Sequence, residues 1–156
     1  MLGGGAVILA IDPGPTASAY VAWNGTHIVQ HETCANKETL EIIQCNPWRR
    51  VVIEWIEGYG KTVGNETFHT CRWVGKFEQA AGCQEGDGHL VTRKEIKLHL
   101  CDSLQANDSH VRQALIDRIG PPGSKKAPGP TYGIVGHEWS ALACAVVWWD
   151  KHKEAP

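Results

Sequence analysis

Short apolar runs alternate with longer amphipathic stretches along this chain. Residues 7–11 and 51–53 are continuous apolar runs of the kind that form strands covered on both faces. Between them, two strand-like segments flank an Asn24-Gly25 turn, which predicts a β-hairpin. A helix capped by Asn36 is predicted over 36–45. This order favours an α/β fold in which an antiparallel hairpin precedes a parallel crossover.

The second half of the chain has mainly helical periodicity. Apolar residues at helical spacing, after Asn65 as a cap, predict a long helix over 65–81. A short strand is predicted at 89–91, with a capping box directly after it. Further helices are predicted after this box, from 107 or 108 to 119, and over 137–151. Residues 121–136 are rich in Pro, Gly and Lys and predict a mobile loop within one domain spanning 1–156.

Composition narrows the class of protein. The 156 residues, 42% of them hydrophobic, are enough to bury one core. No apolar run approaches the ~18 residues that a membrane span requires. The net charge of −2 gives no indication of nucleic-acid binding. Contact with DNA would therefore need a local basic patch, or cations bound to carboxylates.

Cysteine usage indicates a reducing compartment. The six cysteines include no Cys-x-x-Cys pair, and no secretory signal is visible at the start of the chain. We therefore expect a cytoplasmic protein with reduced thiols. Cys71, Cys83, His99 and Cys101 form an alternative zinc set, but their spacing does not match common structural zinc sites.

Two of the apolar runs end in a single carboxylate. Asp12 follows the first run and Glu54 the second, and a charge at the end of a buried strand is costly unless something compensates it. If the strands are parallel neighbours, both side chains project from one sheet edge and could share a divalent metal. The last predicted helix begins with His137 and Glu138, which are candidates to complete this site.

The order of these motifs resembles the RuvC-type Holliday junction resolvases, especially their phage-encoded branch, within the ribonuclease-H-like nuclease superfamily. The resemblance is carried by residues 11–14, 52–54, 93–98, 111–115 and 137–143, in family order. It implies an α/β, ribonuclease-H-like mixed five-stranded sheet, with an antiparallel hairpin plus parallel strands, flanked by helices. It also implies a homodimer that acts in DNA recombination and repair, and that cleaves branched DNA by paired nicks with divalent metal ions.

The same resemblance assigns the catalytic residues. Asp12 and Glu54 match the first two metal-binding acids, and His137 and Glu138 lie where the remaining site residues are expected. Many relatives have Asp at the position of His137, and cellular members often have a further Asp at the position of Ser140. The implied cofactor is Mg²⁺ or Mn²⁺, with two ions per site.

The resemblance and the basic residues also indicate contact surfaces. The candidate DNA contacts are Tyr59, Arg93, Lys94, Lys97, Arg112, Lys125 and Lys126. The loop 121–136 is placed to close over bound DNA. The helix 65–81 is the candidate dimer interface, through Phe68, Trp73 and Phe77.

Two other functions fit the same residues. A nuclease of this fold could act more broadly on flaps or RNA–DNA hybrids. The changed residues at positions 137 and 140 also allow a catalytically silent protein that only binds branched DNA.

Overall fold

The computed structural model describes residues 6–153, so the first five and last three residues of the predicted domain lie outside the described part. Its strands are β1 (Ile8–Asp12), β2 (Ala17–Trp23), β3 (Ile28–Ala35), β4 (Arg50–Trp55) and β5 (Leu90–Thr92). Its helices are α1 (Asn36–Cys45), α2 (Asn65–Ala81), α3 (Arg93–Cys101), α4 (Asp108–Ile119) and α5 (Glu138–His152).

The strands form one mixed sheet in the order β3-β2-β1-β4-β5. The pairs β1–β2 and β2–β3 are antiparallel, whereas β1–β4 and β4–β5 are parallel. This confirms the predicted hairpin, the parallel crossover and the five-stranded mixed sheet.

The central strand β1 is covered on both faces, as its apolar run predicts. Ile8 and Ala10 face a core that includes α5 and residues of α3 and α4. Leu9 and Ile11 face a second core built with α1 and α2. Alternate residues of a strand point to opposite faces, so a strand between two helical layers must be apolar throughout.

Asn36 is buried and acts differently from the predicted cap. It is the first residue of α1, and no side chain caps that helix. Its Nδ2 donates to the Gly14 carbonyl oxygen at 3.0 Å, and its Oδ1 accepts from Ser18 Oγ at 2.6 Å. Ala35 occupies the cap position, and the Asn36 amide instead holds the turn that follows Asp12. Asn65 likewise begins α2 without a side-chain cap, because Gly64 occupies the cap position.

We expect Asn36→Ala to lower the free energy of unfolding by about 1–3 kcal/mol, because it leaves buried polar partners unsatisfied. The measurement is urea denaturation followed by circular dichroism. Gln44→Ala, on the exposed side of the same helix, is the matched control and should change stability by less than ~0.5 kcal/mol. Equal losses in the two variants would contradict the role given to Asn36.

Two helices carry the predicted start signals. The Thr92 side chain accepts from the Glu95 backbone N–H, and the Glu95 carboxylate accepts from the Thr92 backbone N–H, which confirms the capping box of α3. Asn107 caps α4 through a reciprocal pair with His110. These caps set the directions in which the first residues of both helices project.

Helix α5 confirms the predicted final helix but is more buried than an amphipathic pattern requires. Its residues from Ala141 to Val147 are fully buried against the sheet. Small side chains at 141, 143 and 145 permit this close approach. The helix therefore holds its first turn firmly at the sheet edge where β1 and β4 end.

Residues 121–136 form the predicted loop, and its mobility stays a prediction. Thr131 and Ile134 are buried and anchor its second half, with Thr131 Oγ1 donating to the Gly120 carbonyl oxygen at 2.8 Å. Lys125 and Lys126 lie at the exposed tip. Among the helices of residues 6–153, none is long and apolar enough to cross a membrane.

Candidate active site

Asp12 and Glu54 lie side by side where β1 and β4 end. The parallel register pairs Ile11 with Ile53, so the next residues of both strands are the two acids. The Asp12 side chain is only 15% exposed. Glu54 is also largely buried, and its Oε2 has no hydrogen-bond partner among the described residues. The structure therefore brings together the two carboxylates that the sequence singled out.

His137 completes this cluster from the start of α5. It occupies the cap position of the helix, and its Nδ1 lies 2.9 Å from Asp12 Oδ2. The imidazole is 82% exposed, so it can turn without unpacking the core. It lines two adjoining cavities of about 440 and 360 Å³, and Asp12 lines the second of them. A ligand entering from solvent on either side thus meets His137 first.

The positive charge near the two acids does not offset their burial. Burial, together with the nearby charge of Asp12, raises the pKa of Glu54 to about 8. Burial also raises the pKa of Asp12, although the neighbouring His137 opposes this. The Arg93 guanidinium lowers the pKa of both carboxyl groups, but not by enough to offset burial. Such a pair is poised to take up a cation, which would favour the ionised form of both groups.

The raised pKa of Glu54 predicts how stability depends on pH in the cation-free protein. Between the ordinary value of 4.5 and about 8, the folded state holds a proton that the unfolded state has released. The free energy of unfolding should therefore fall as pH rises through this window, by at most about 1.4 kcal/mol per pH unit. In Glu54→Gln this decline should be much smaller, leaving only the part due to Asp12, as measured by urea denaturation in chelator from pH 5 to 8.5. Parallel profiles for wild type and variant would contradict the assignment.

Arg93 and Asp108 are close to the acids, and sequence reasoning missed this. Arg93 begins α3, Asp108 begins α4, and the Arg93 Nη2 donates to Asp108 Oδ1. Both line the 440 Å³ cavity beside His137. Arg93, a predicted DNA contact, has a side chain that is only 23% exposed and lies near the acid pair, and its contact with DNA stays a prediction. The available signal was that both residues directly follow the caps of their helices.

Glu138 does not join the cluster, contrary to the prediction that it binds metal there. Its carboxylate is buried, and its Oε1 pairs with Nδ1 of His31 on β3. Consecutive residues of a helix point about 100° apart, so neighbours in sequence face different parts of the protein. The His137 imidazole points to the acid pair, and Glu138 links the start of α5 to the edge strand.

Of the predicted DNA contacts, Arg93 and Arg112 line the 440 Å³ cavity beside His137. Tyr59 is half exposed on the loop after β4, and Lys94 Nζ lies 4.4 Å from its ring centroid. The Arg112 guanidinium lies 4.9 Å from the Trp139 ring and lines the cavity of His137. Lys97, Lys125 and Lys126 make no ion pair with any residue in 6–153. These cations remain available to phosphate groups.

The predicted dimer face is only partly available. Phe77 is fully buried in the core beneath α2, which corrects its assignment to an interface. Trp73 packs partly against the same core, with its ring centroid 5.9 Å from that of Phe77. Phe68 is 59% exposed and can still meet a partner. The apolar face of α2 packs on the sheet, because the apolar side chains on that side of the sheet must be buried by a helix.

The side chains of Asp12, Glu54 and His137 are of the kinds that bind a divalent cation. Two carboxylates and an imidazole are suitable ligands, and the unpartnered Glu54 Oε2 is an orphaned acceptor at the place where a cation would bind. Across residues 6–153, no three His, Cys, Asp or Glu side chains stand together as a ready-made metal group. The alternative zinc set is thus not assembled, and His99 instead pairs with Asp150. Asp12 and Glu54, with His137 after it turns, fit the cation best.

Solved structures with a similar fold cover nearly the whole chain. RuvC of Thermus thermophilus in complex with a Holliday junction substrate superimposes with a TM-score of 0.63, at 19% identity over 91% of this chain and 92% of that chain. The chain has a RuvC-like fold. A second T. thermophilus RuvC structure gives a TM-score of 0.64 at 18% identity, covering 94% of this chain and 96% of that one. No protein-family model and no curated protein matches the sequence.

The RuvC-like fold agrees with the ribonuclease-H-like sheet expected from the motifs. The sequence identity to these two RuvC structures is low. The side chains of the core described above are therefore particular to this chain. In this chain Asp12 lies on β1, Glu54 on β4 and His137 at the start of α5.

Proposed function

We propose that this protein is a divalent-metal-dependent endonuclease that cleaves Holliday junctions and related branched DNA. The observation that carries the proposal is the pair of buried carboxylates on adjacent parallel strands, with an unpartnered oxygen on Glu54. The RuvC-like fold supports it, because T. thermophilus RuvC has been solved with a Holliday junction substrate.

The proposed reaction is hydrolysis of a phosphodiester. A water oxygen forms a new bond to phosphorus, the bond from phosphorus to the 3′ oxygen breaks, and that oxygen leaves with a proton. A divalent cation held by Asp12 and Glu54 would supply the acidity of the bound water and neutralise charge on the phosphate. His137 can hold or move a proton at its ring nitrogens, since it is hydrogen-bonded to Asp12 and open to solvent.

The basic residues around the cavities would orient the DNA. Lys94, Lys97 and Arg112 are suited to phosphate contacts, and Tyr59 offers an exposed ring for base stacking. The tip of the 121–136 loop adds two more cations. These local charges explain how a chain with a net charge of −2 could hold a polyanion.

Further parts of the proposal rest on the motifs and on symmetry. Paired nicks across a junction need two identical sites, so we propose a homodimer, with Phe68 on its interface. We also propose that the enzyme belongs to the phage-encoded branch of RuvC-type resolvases and acts in the host cytoplasm.

A panel of labelled substrates tests the function. Synthetic four-way junctions, flaps, RNA–DNA hybrids and linear duplexes are incubated with Mg²⁺, with Mn²⁺ or with chelator. We expect metal-dependent paired nicks in four-way junctions only. Cutting of flaps or hybrids at a similar rate would favour a broader nuclease. A mobility shift without cleavage under any metal condition would favour a silent junction-binding protein.

The imidazole near the acids predicts a metal preference. Mg²⁺ favours oxygen ligands in strict octahedral geometry, whereas Mn²⁺ accepts imidazole nitrogen more readily. We therefore expect faster junction cleavage with Mn²⁺ than with Mg²⁺ at equal occupancy, by roughly tenfold, a difference of about 1.4 kcal/mol. The preference should shrink in His137→Asp. Equal rates with both metals in the wild-type protein would remove the basis for nitrogen ligation.

A further inference from the structure

Arg93 and Asp108 lie near the candidate acids, but neither has a role in the phosphodiester hydrolysis proposed above. Each is the first residue of a capped helix, and the two form an ion pair across the cavity. The Arg93 Nη1 is buried and has no hydrogen-bond partner among the described residues. Buried N–H groups are rarely left unpaired, so this donor is available to a ligand that enters the cavity.

The net charge of the residues around the acid pair limits the number of divalent cations that can bind there. Without DNA and without a charge on His137, ionised Asp12, Glu54 and Asp108 are opposed by the fixed charge of Arg93, which leaves two negative charges. Ser140, which lines the same cavity, contributes a hydroxyl group and no charge. One divalent cation would balance this set. A second would place excess positive charge beside a largely buried guanidinium, where repulsion is only weakly screened by solvent.

We infer that the site takes one divalent cation per chain, and that the Arg93 guanidinium contacts the scissile phosphate in place of a second cation. This inference rests on the proposed function and replaces the two ions that the family resemblance implies. A guanidinium is always charged, and its planar fork of N–H donors matches phosphate oxygens. Its role is to stabilise the negative charge that builds up on the phosphate during displacement.

Asp108 is the positioning residue in this arrangement. It pairs with Arg93 Nη2, while Arg93 Nη1 has no hydrogen-bond partner among the described residues. Since both residues begin capped helices, the guanidinium is oriented before DNA binds. Prior orientation of a charged donor avoids reorganisation during the reaction.

The first test counts cations. Mn²⁺ is titrated into the wild-type protein, with free Mn²⁺ followed by electron paramagnetic resonance, and junction cleavage is measured over the same Mn²⁺ range. We expect one bound ion per chain and a first-order dependence of the cleavage rate on Mn²⁺. Two bound ions, or a second-order dependence, would overturn the inference and would indicate that Asp108 leaves Arg93 to bind a cation.

The second test uses variants of the guanidinium. Arg93→Gln should slow cleavage by roughly 10²–10³-fold, as loss of a preorganised donor does elsewhere, while still binding one Mn²⁺. Arg93→Lys, which keeps the charge but not the fork, should fall between it and wild type. Arg118→Gln is the control, because Arg118 pairs with Asp150 away from this cavity. Thermal denaturation checks that each variant is folded. If Arg93→Gln does not fold, the cleavage rate of Arg93→Lys tests the role of Arg93.

The outcomes separate the two proposals. Wild-type cleavage rates in folded Arg93→Gln would overturn the role of Arg93. Cleavage with two bound ions would contradict only the inference about the cation count. A folded wild-type protein that binds one ion and cuts no branched DNA would contradict the proposed function.

Discussion

Asp12→Asn is expected to slow cleavage of a four-way junction by roughly 10³-fold or more, equivalent to about 4 kcal/mol of transition-state stabilisation. The change keeps the shape of the side chain but removes a charged ligand from the proposed cation site. Junction binding should be retained within a few-fold, because the basic residues around the cavities are untouched. Single-turnover cleavage assays and mobility shifts in chelator measure the two effects separately.

The matched control is Asp117→Asn, which removes an exposed acid on α4 that hydrogen-bonds Gln113. It should cleave at the wild-type rate. A folded Asp12→Asn protein with full activity would exclude this site as the catalytic centre. Joint loss of binding and cleavage would instead mean that Asp12 shapes the DNA surface.

Glu138→Ala is expected to lower the free energy of unfolding by about 2–3 kcal/mol and to leave cation uptake unchanged. Removal of one partner of a buried ion pair leaves the other uncompensated, and partial exposure of His31 reduces the cost below that of a fully buried pair. The measurement is urea denaturation at pH 6, together with Mn²⁺ titration of the folded variant.

A double-mutant cycle with His31→Ala tests the origin of this loss. If the His31–Glu138 contact carries it, the double variant should be little less stable than either single variant. Loss of Mn²⁺ binding in Glu138→Ala without loss of stability would contradict this role and would show that Glu138 is a ligand of the cation.

Some of the molecule could be predicted because the signals are local. The Asn-Gly hairpin, the capping box at Thr92 and Glu95, and the apolar runs that end in acids each depend on residues close in sequence. The hairpin followed by a helix favoured a parallel pairing of β1 and β4, and parallel neighbours end at the same edge. The pattern therefore predicted the meeting of Asp12 and Glu54 on the condition that their strands are neighbours, and the structure shows that they are.

Other features depend on which helix face meets which neighbour. Phe68 and Phe77 are nine residues apart on α2, which at about 100° per residue places them on opposite sides of the helix, and only Phe77 faces the core. The packing of α3 against α4 brings Arg93 to Asp108, a contact that the sequence pattern did not predict. Asn36 resembles a helix cap, yet the loop at Gly14 and Ser18 lies within its reach and binds it instead.

By itself, the sequence determined the order of elements, the sheet type and the two strand-end acids, because alternation and capping act over a few residues. Only the tertiary structure decided that His137 meets Asp12, that Glu138 meets His31 and that Arg93 faces the acids. These contacts join residues far apart in the chain. They depend on the rotation of each helix about its axis, where a shift of one residue turns a side chain by about 100°.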